Sequence, residues 1–148
     1  MNRSSTIIKP VAAIICDEIR QEFSRKDILI GIYPADIVLN KSPMRLRLSV
    51  YLLVEITNSG ETEFEVRFQG PDGPSENTIK GTLEGIHKTI PKHRIGLSLH
   101  NLIINMSKEG VLKTLFRKPG ERWKTVSVLP VTLAPDVVIS SNEPEQPA

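Results

Sequence analysis

Cys16-Asp17-Glu18-Ile19-Arg20-Gln21-Glu22 gathers a thiol, carboxylates and a guanidinium into one short stretch. Those types allow three chemistries. A thiol beside a base is a nucleophile, facing carboxylates make an acid–base pair, and converging oxygens hold a hard cation. Each has a requirement that the sequence can be held against. A reactive thiolate needs a lowered pKa and access. Cys16 instead closes the apolar run Val11–Cys16, and the charges of Asp17 and Glu18 raise its pKa. His87, His93 and His100 stand far from it in sequence. The expectation is a buried, structural cysteine. No spacing of the calcium-loop kind links Asp17, Glu18 and Glu22. Arg20, Arg25 and Lys26 are interleaved with them, so ion pairing on a solvated crossing is expected first and partner recognition second. No catalytic residue, metal ligand set or cofactor motif emerges.

Two basic stretches could bind anions. Residues 87–94 hold Lys88, Lys92 and Arg94 beside His87 and His93, with no acid among them. Residues 108–124 hold Arg117 and Lys118 among further lysines and arginines, diluted by Glu109 and Glu121. Only Phe116 and Trp123 lie near, whereas single-strand binders need stacking platforms. Charges at hairpin tips and on outward strand faces ordinarily serve solvation. A third group is Arg45, Arg47 and Tyr51. Tyr and Arg are enriched at interface hot spots, although a second layer over that face would explain the Tyr equally well.

The elements that must position these groups read as strands. Met44–Ile56 alternates without a break. Met44, Leu46, Leu48, Val50, Leu52, Val54 and Ile56 share one face, and Arg45, Arg47, Ser49, Tyr51, Leu53 and Glu55 share the other. Glu61–Gln69 alternates again, and the short Gly-containing turn between them predicts an antiparallel hairpin. Ile7–Cys16 is rich in β-branched residues, and Pro10 confines it to an edge, a strand start or a bulge. Ile28–Tyr33 is a continuous apolar run, expected to be a strand buried on both faces. Between these two, Asp17–Phe23 is expected to form one helical turn, with Asp17 as its cap.

Thr78–Ile90 favours a strand over a helix, because Gly81 and Gly85 would each cost a helix about 1 kcal/mol. Ile95, Leu97 and Leu99 should point inward from a further strand. Val111–Phe116 and Trp123–Leu133 flank a turn and form a second hairpin. The result is all-β: a single antiparallel sandwich of about eight strands, immunoglobulin-like in appearance, with at most one short helical turn. Residues 1–6 are expected to be loose, 7–134 to form the domain, and 135–148 to form an irregular tail.

Composition sets the outer bounds. The chain has 148 residues and a net charge of +2. Removing the two tail carboxylates, Glu143 and Glu145, leaves +4 on the body. That is weak for a dedicated nucleic-acid binder. A lone cysteine excludes an internal disulfide framework and fits a reducing compartment. No stretch approaches the roughly 20 apolar residues of a membrane span, so a soluble, cytoplasmic protein is expected.

The segments CDEIRQE and KDILIGIY, then LRLSVYLLVEI, FEVRFQGPDG and GVLKTLF, resemble a family of small bacterial proteins of unknown function. Its pattern is an apolar strand, a Cys-Asp-acid-x-Arg-x-Glu cluster and a Leu-Ile-Gly-x-Tyr strand. Cys16, Asp17, Arg20, Glu22, Gly31 and Tyr33 match it. The resemblance covers about residues 14–131 and implies no activity. Three functional expectations follow, in order. The first is a non-enzymatic module acting by protein–protein interaction or self-association. The second is a weak nucleic-acid or polyanion binder. The third is a cysteine-dependent or acid–base enzyme.

Overall fold

The computed structural model describes residues 7–57, 60–84 and 92–139. Among them are ten strands and no helix: β1 (Ile7–Gln21), β2 (Asp27–Ile32), β3 (Ile37–Ser42), β4 (Met44–Thr57), β5 (Glu61–Gly70), β6 (Gly73–Pro74), β7 (Ile79–Glu84), β8 (Lys92–Met106), β9 (Gly110–Arg117) and β10 (Lys124–Ile139). They form two sheets. Sheet A has the order β2-β1-β4-β8, all antiparallel. Sheet B has the order β3-β10-β9-β5-β6, with β7 also on β5, and β3 runs parallel to β10. The all-β sandwich expected from the sequence is therefore the fold.

The alternation of β4 decides its faces as read. Leu48, Val50, Leu52, Val54 and Ile56 are buried, while Arg45 and Arg47 are exposed. Across the core they meet Phe64, Val66 and Phe68 of β5 and Leu112 and Phe116 of β9. Phe64 and Phe116 stack with ring centroids 6.0 Å apart. β8 needs a device to keep pace. Leu48 pairs Leu102 and Val50 pairs Leu99, so β8 carries one extra residue there. Asn101 absorbs it at φ 61°. The inward phase thereby switches from Ile95, Leu97 and Leu99 to Leu102, Ile104 and Met106.

Three expectations are corrected. β4 and β5 are not a hairpin, because the chain between them passes from sheet A to sheet B. β4 pairs β1 and β8, and β5 pairs β9. Their apolar faces oppose each other across the core, an arrangement that alternation alone does not distinguish from lateral pairing. The β9–β10 hairpin does form.

Asp17–Phe23 is not a helical turn. β1 continues to Gln21, and a tight turn returns to β2, closed by Arg25 N–H to the Glu22 carbonyl at 2.9 Å and Glu22 N–H to the Lys26 carbonyl at 2.8 Å. Arg25 takes φ 65° to complete it. β2, third, is an edge strand and mostly exposed rather than buried on both faces. Ile28, Ile30 and Ile32 face outward without a covering layer among the described residues, while Leu29 turns to the side of buried Ile19.

Pro10 sits beside a bulge where β1 has β4 on one side only, since β2 pairs it from Cys16 onward. The missing N–H therefore costs the ladder little. β7 confirms a strand over Ile79–Glu84; residues 85–90 lie outside the described residues, as do 1–6 and 140–148. β10 continues to Ile139, so regular structure enters the expected tail.

Candidate interaction surface

Strand alternation takes the Cys16–Glu22 cluster apart. Glu18 and Arg20 lie two apart on one face of β1 and pair with each other at 3.0 Å, largely in water. Glu22 accepts a hydrogen bond from Ser24 Oγ at 3.1 Å in the turn. Asp17 turns to the other side and accepts one from the Tyr33 hydroxyl at 2.7 Å. The carboxylates therefore do not converge. Among the described residues no group of three or more His, Cys, Asp and Glu side chains could hold a metal ion. Of the ion pairing expected within this cluster, Arg20 with Glu18 is the pair the described residues show, because strand alternation turns Asp17 to the other side.

Cys16 is wholly buried, opposite Ser49 and Ile32 in the ladder. Burial pushes its thiol pKa up, Asp17 adds to the rise, and a backbone hydrogen bond from Glu18 opposes it. Such a thiol lacks both the access and the thiolate that nucleophilic chemistry needs. Tyr33 is raised further, to about 12, first by burial and then by its bond to the Asp17 carboxylate. Gly31 explains how the pair fits. It lies at φ 70°, and an added Cβ would run into the Asp17 carboxylate. Asp17, Gly31 and Tyr33 are thus one structural unit, the carboxylate lying over the glycine to reach the phenol.

The outer face of sheet A gathers what the sequence left scattered. The ladder places Ile14 beside Tyr51 and Tyr51 beside Ser98, then Leu53 between Ala12 and Gly96. The Tyr51 ring lies across Gly96, where a Cβ would collide with the phenol. Ile28, Ile30 and Ile32 extend this surface along β2, opposite Arg20, Glu18 and Cys16. Val11, Ile14 and these three isoleucines are each 38–49% exposed. Sheet B packs against the opposite side, and no described element covers this one. The expected interface residues Arg45, Arg47 and Tyr51 lie on it. The isoleucines of β2 were missed, because an unbroken apolar run reads as a buried strand; their exposure is set by the edge position.

Charges ring this face. Arg45 pairs Glu76 at 2.8 Å. Lys92 and Arg94 share Glu55, at 3.3 and 3.6 Å. Arg47 has no ion-pair partner among the described residues. Of the residues expected to bind anions, Lys92 and Arg94 are thus engaged on sheet A. Arg117 stands on sheet B, paired with Glu65 at 3.4 Å, and Lys118 follows it. Lys88 lies outside the described residues. The described residues of the two basic stretches, 92–94 and 108–124, are not brought to one face: Lys92 and Arg94 stand on sheet A and Arg117 on sheet B.

A family-wide sequence profile matches residues 11–128. The chain belongs to DUF6941, a family of unknown function. The DUF6941 match spans sheet A from Val11 onward, the Asp17–Gly31–Tyr33 unit and both strands of the β9–β10 hairpin as far as Val128. No curated protein matches the chain significantly. No helix among the described residues is long and apolar enough to cross a membrane.

Proposed function

We propose that the protein is a non-enzymatic binding module that docks another protein on the outer face of sheet A. The observation that carries this is the contiguous strip of exposed Ile14, Ile30 and Ile32 beside Tyr51 and Leu53. An apolar strip rimmed by polar groups is the ordinary anatomy of an interaction site. The partner follows from the rim. Lys9, Arg20, Arg45, Arg47, Lys92 and Arg94 stand against Glu18, Glu55 and Glu76, an excess of positive charge. A second copy would bring the same sign to the same rim. The complementary occupant is a different protein presenting apolar side chains within an acidic border. Polyanion binding through residues 87–94 is less well supported, since Lys92 and Arg94 already share Glu55.

The test is capture with the tagged, full-length chain, comparing substitutions on the two outer faces. Ile32→Lys and Tyr51→Lys should abolish capture of a specific protein, and Val128→Lys, exposed on sheet B, should not. Capture should weaken as salt rises, through loss of the rim attraction. Equal losses with all three variants, or a dimer in light scattering that Ile32→Lys dissociates, would overturn the reading.

A further inference from the structure

We propose that Arg67 and Arg117, arranged around Trp123 on the outer face of sheet B, form a binding site for a phosphate group. This site is separate from the face assigned above to protein docking. Alternation along β5 turns Glu65 and Arg67 outward while Phe64, Val66 and Phe68 fill the core. The ladder then sets Glu65 opposite Arg117 and Arg67 opposite Leu115. Trp123 immediately precedes β10, whose Lys124 pairs Phe116, so its indole reaches both arginines. The Arg67 guanidinium carbon lies 4.4 Å from the ring centroid and that of Arg117 lies 4.2 Å from it.

The charges on this cluster do not balance. Glu65, its side chain only 10% exposed, pairs with Arg117 at 3.4 Å. Arg67 has no carboxylate among the described residues. The Nε atoms of both arginines are buried without a hydrogen-bond acceptor. The protein thus withdraws two guanidinium groups partly from water, gives them an aromatic platform, and supplies one carboxylate for the pair. Leaving a partly buried cation uncompensated is unfavourable. A guanidinium stacked on an indole is also held in place, so its fork binds an oxyanion with little further loss of freedom. The fork matches the O–P–O edge of a phosphate bidentately. Two guanidiniums against one carboxylate leave one positive charge uncompensated, and a doubly charged anion is favoured over a single carboxylate only with the lysines alongside. Lys80, opposite Glu65 on β7, and Lys113, opposite Gln69, add to the local potential. The Arg67 contribution was not legible in sequence, because β5 lies far from the basic stretch that holds Arg117.

Trp123 is the sole tryptophan, so its emission reports on this site alone. Inorganic phosphate, titrated into the full chain at constant ionic strength, should change that emission saturably, with half-saturation on the order of 1 mM. A phosphomonoester such as glycerol phosphate distinguishes a bound ester from the free ion by the tighter of the two curves. Acetate should be at least about tenfold weaker, since it brings one charge fewer. Arg67→Gln should weaken phosphate about tenfold or more, measured by calorimetry as well as emission, because the substitution itself changes the indole's surroundings. Lys41→Gln, on β3, should leave binding unchanged, and circular dichroism should show both variants folded. Emission that follows ionic strength alone, a phosphate curve that does not saturate, or unchanged calorimetric affinity in Arg67→Gln would each overturn the proposal.

Discussion

Gly31→Ala should destabilise the protein by about 2–3 kcal/mol, through two separable contributions. Gly31 sits at φ 70°, a conformation that costs an L-residue about 1 kcal/mol or somewhat more. The new methyl would also fall on the Asp17 carboxylate, whose Cγ lies only 2.9 Å from the Cβ position. Asp17 must then swing away, and the Tyr33 hydroxyl loses a 2.7 Å bond to a carboxylate. Hydrogen bonds to charged groups contribute about 1.5–3 kcal/mol. Asp17 is exposed, so water compensates part of this and about 1–2 kcal/mol is expected. The assay is urea unfolding followed by circular dichroism and Trp123 emission. Asp17→Ala supplies the second corner of a double-mutant cycle, because it removes the clashing carboxylate and the bond and leaves only the Cβ of residue 17, 3.1 Å away. In that background Gly31→Ala should cost only the backbone strain, about 1 kcal/mol, leaving a coupling of about 1–2 kcal/mol. A cost below about 0.5 kcal/mol in the parent, or the same cost in both backgrounds, would refute the account.

The Tyr33 phenol, raised to about 12 by burial and by Asp17, makes stability fall with alkali. The unfolded chain gives up this proton near pH 10 and the folded chain near 12, so the contribution is intact below pH 10 and is lost between 10 and 12. At about 1.4 kcal/mol per pH unit the ceiling is near 3 kcal/mol, and solvent at the partly exposed pair lowers it to about 1 kcal/mol. Tyr33→Phe should flatten the curve in that window, and an unchanged slope would rule the linkage out. Cys16 should react slowly with a thiol reagent in the native state and rapidly in denaturant, and Cys16→Ser should cost about 1–3 kcal/mol. Fast native labelling at neutral pH would contradict its burial. Gly96→Ala should displace the Tyr51 ring and cost about 1–2 kcal/mol; the penalty should shrink in a Tyr51→Ala background, and persistence there would place its origin elsewhere.

What the sequence revealed depended on whether a signal was local. β4 shows its faces because one uninterrupted alternation runs from Met44 to Ile56, and β5 does so through Phe64, Val66 and Phe68. Which strands lie alongside is set by contacts distant in sequence, so β4 and β5 were joined as neighbours although they face each other across the core. In β8 the phase changes at Asn101, and a single period-two reading follows only the half that ends at Leu99. β3 gave no usable signal, since Asn40 and Lys41 interrupt a run too short to alternate. The candidate face fared similarly. Arg45, Arg47 and Tyr51 were visible on β4 because they share its outward register. Ile14, Ile30 and Ile32 belong beside them only once β1 and β2 are laid against β4. The motif residues Asp17, Gly31 and Tyr33 were matched as a pattern, and their joint reason, a carboxylate crossing a glycine to a phenol, required the β1–β2 pairing.

The parallel pairing of β3 with β10 has a consequence for how the protein is made. Residues 37–42 acquire their partner only when Val131–Ile139 is available. Sheet A likewise waits for β8 to cover β4. Along a growing chain, β3 therefore emerges well before its partner strand and waits with Ile37 and Leu39, later fully enclosed, in contact with water. At about 5–20 residues per second that interval is on the order of ten seconds. Such long-range closure is slow and leaves unpaired strands open to misassociation. Strand β10 is thus a lock: until it leaves the ribosome, neither sheet B nor the shared core is complete.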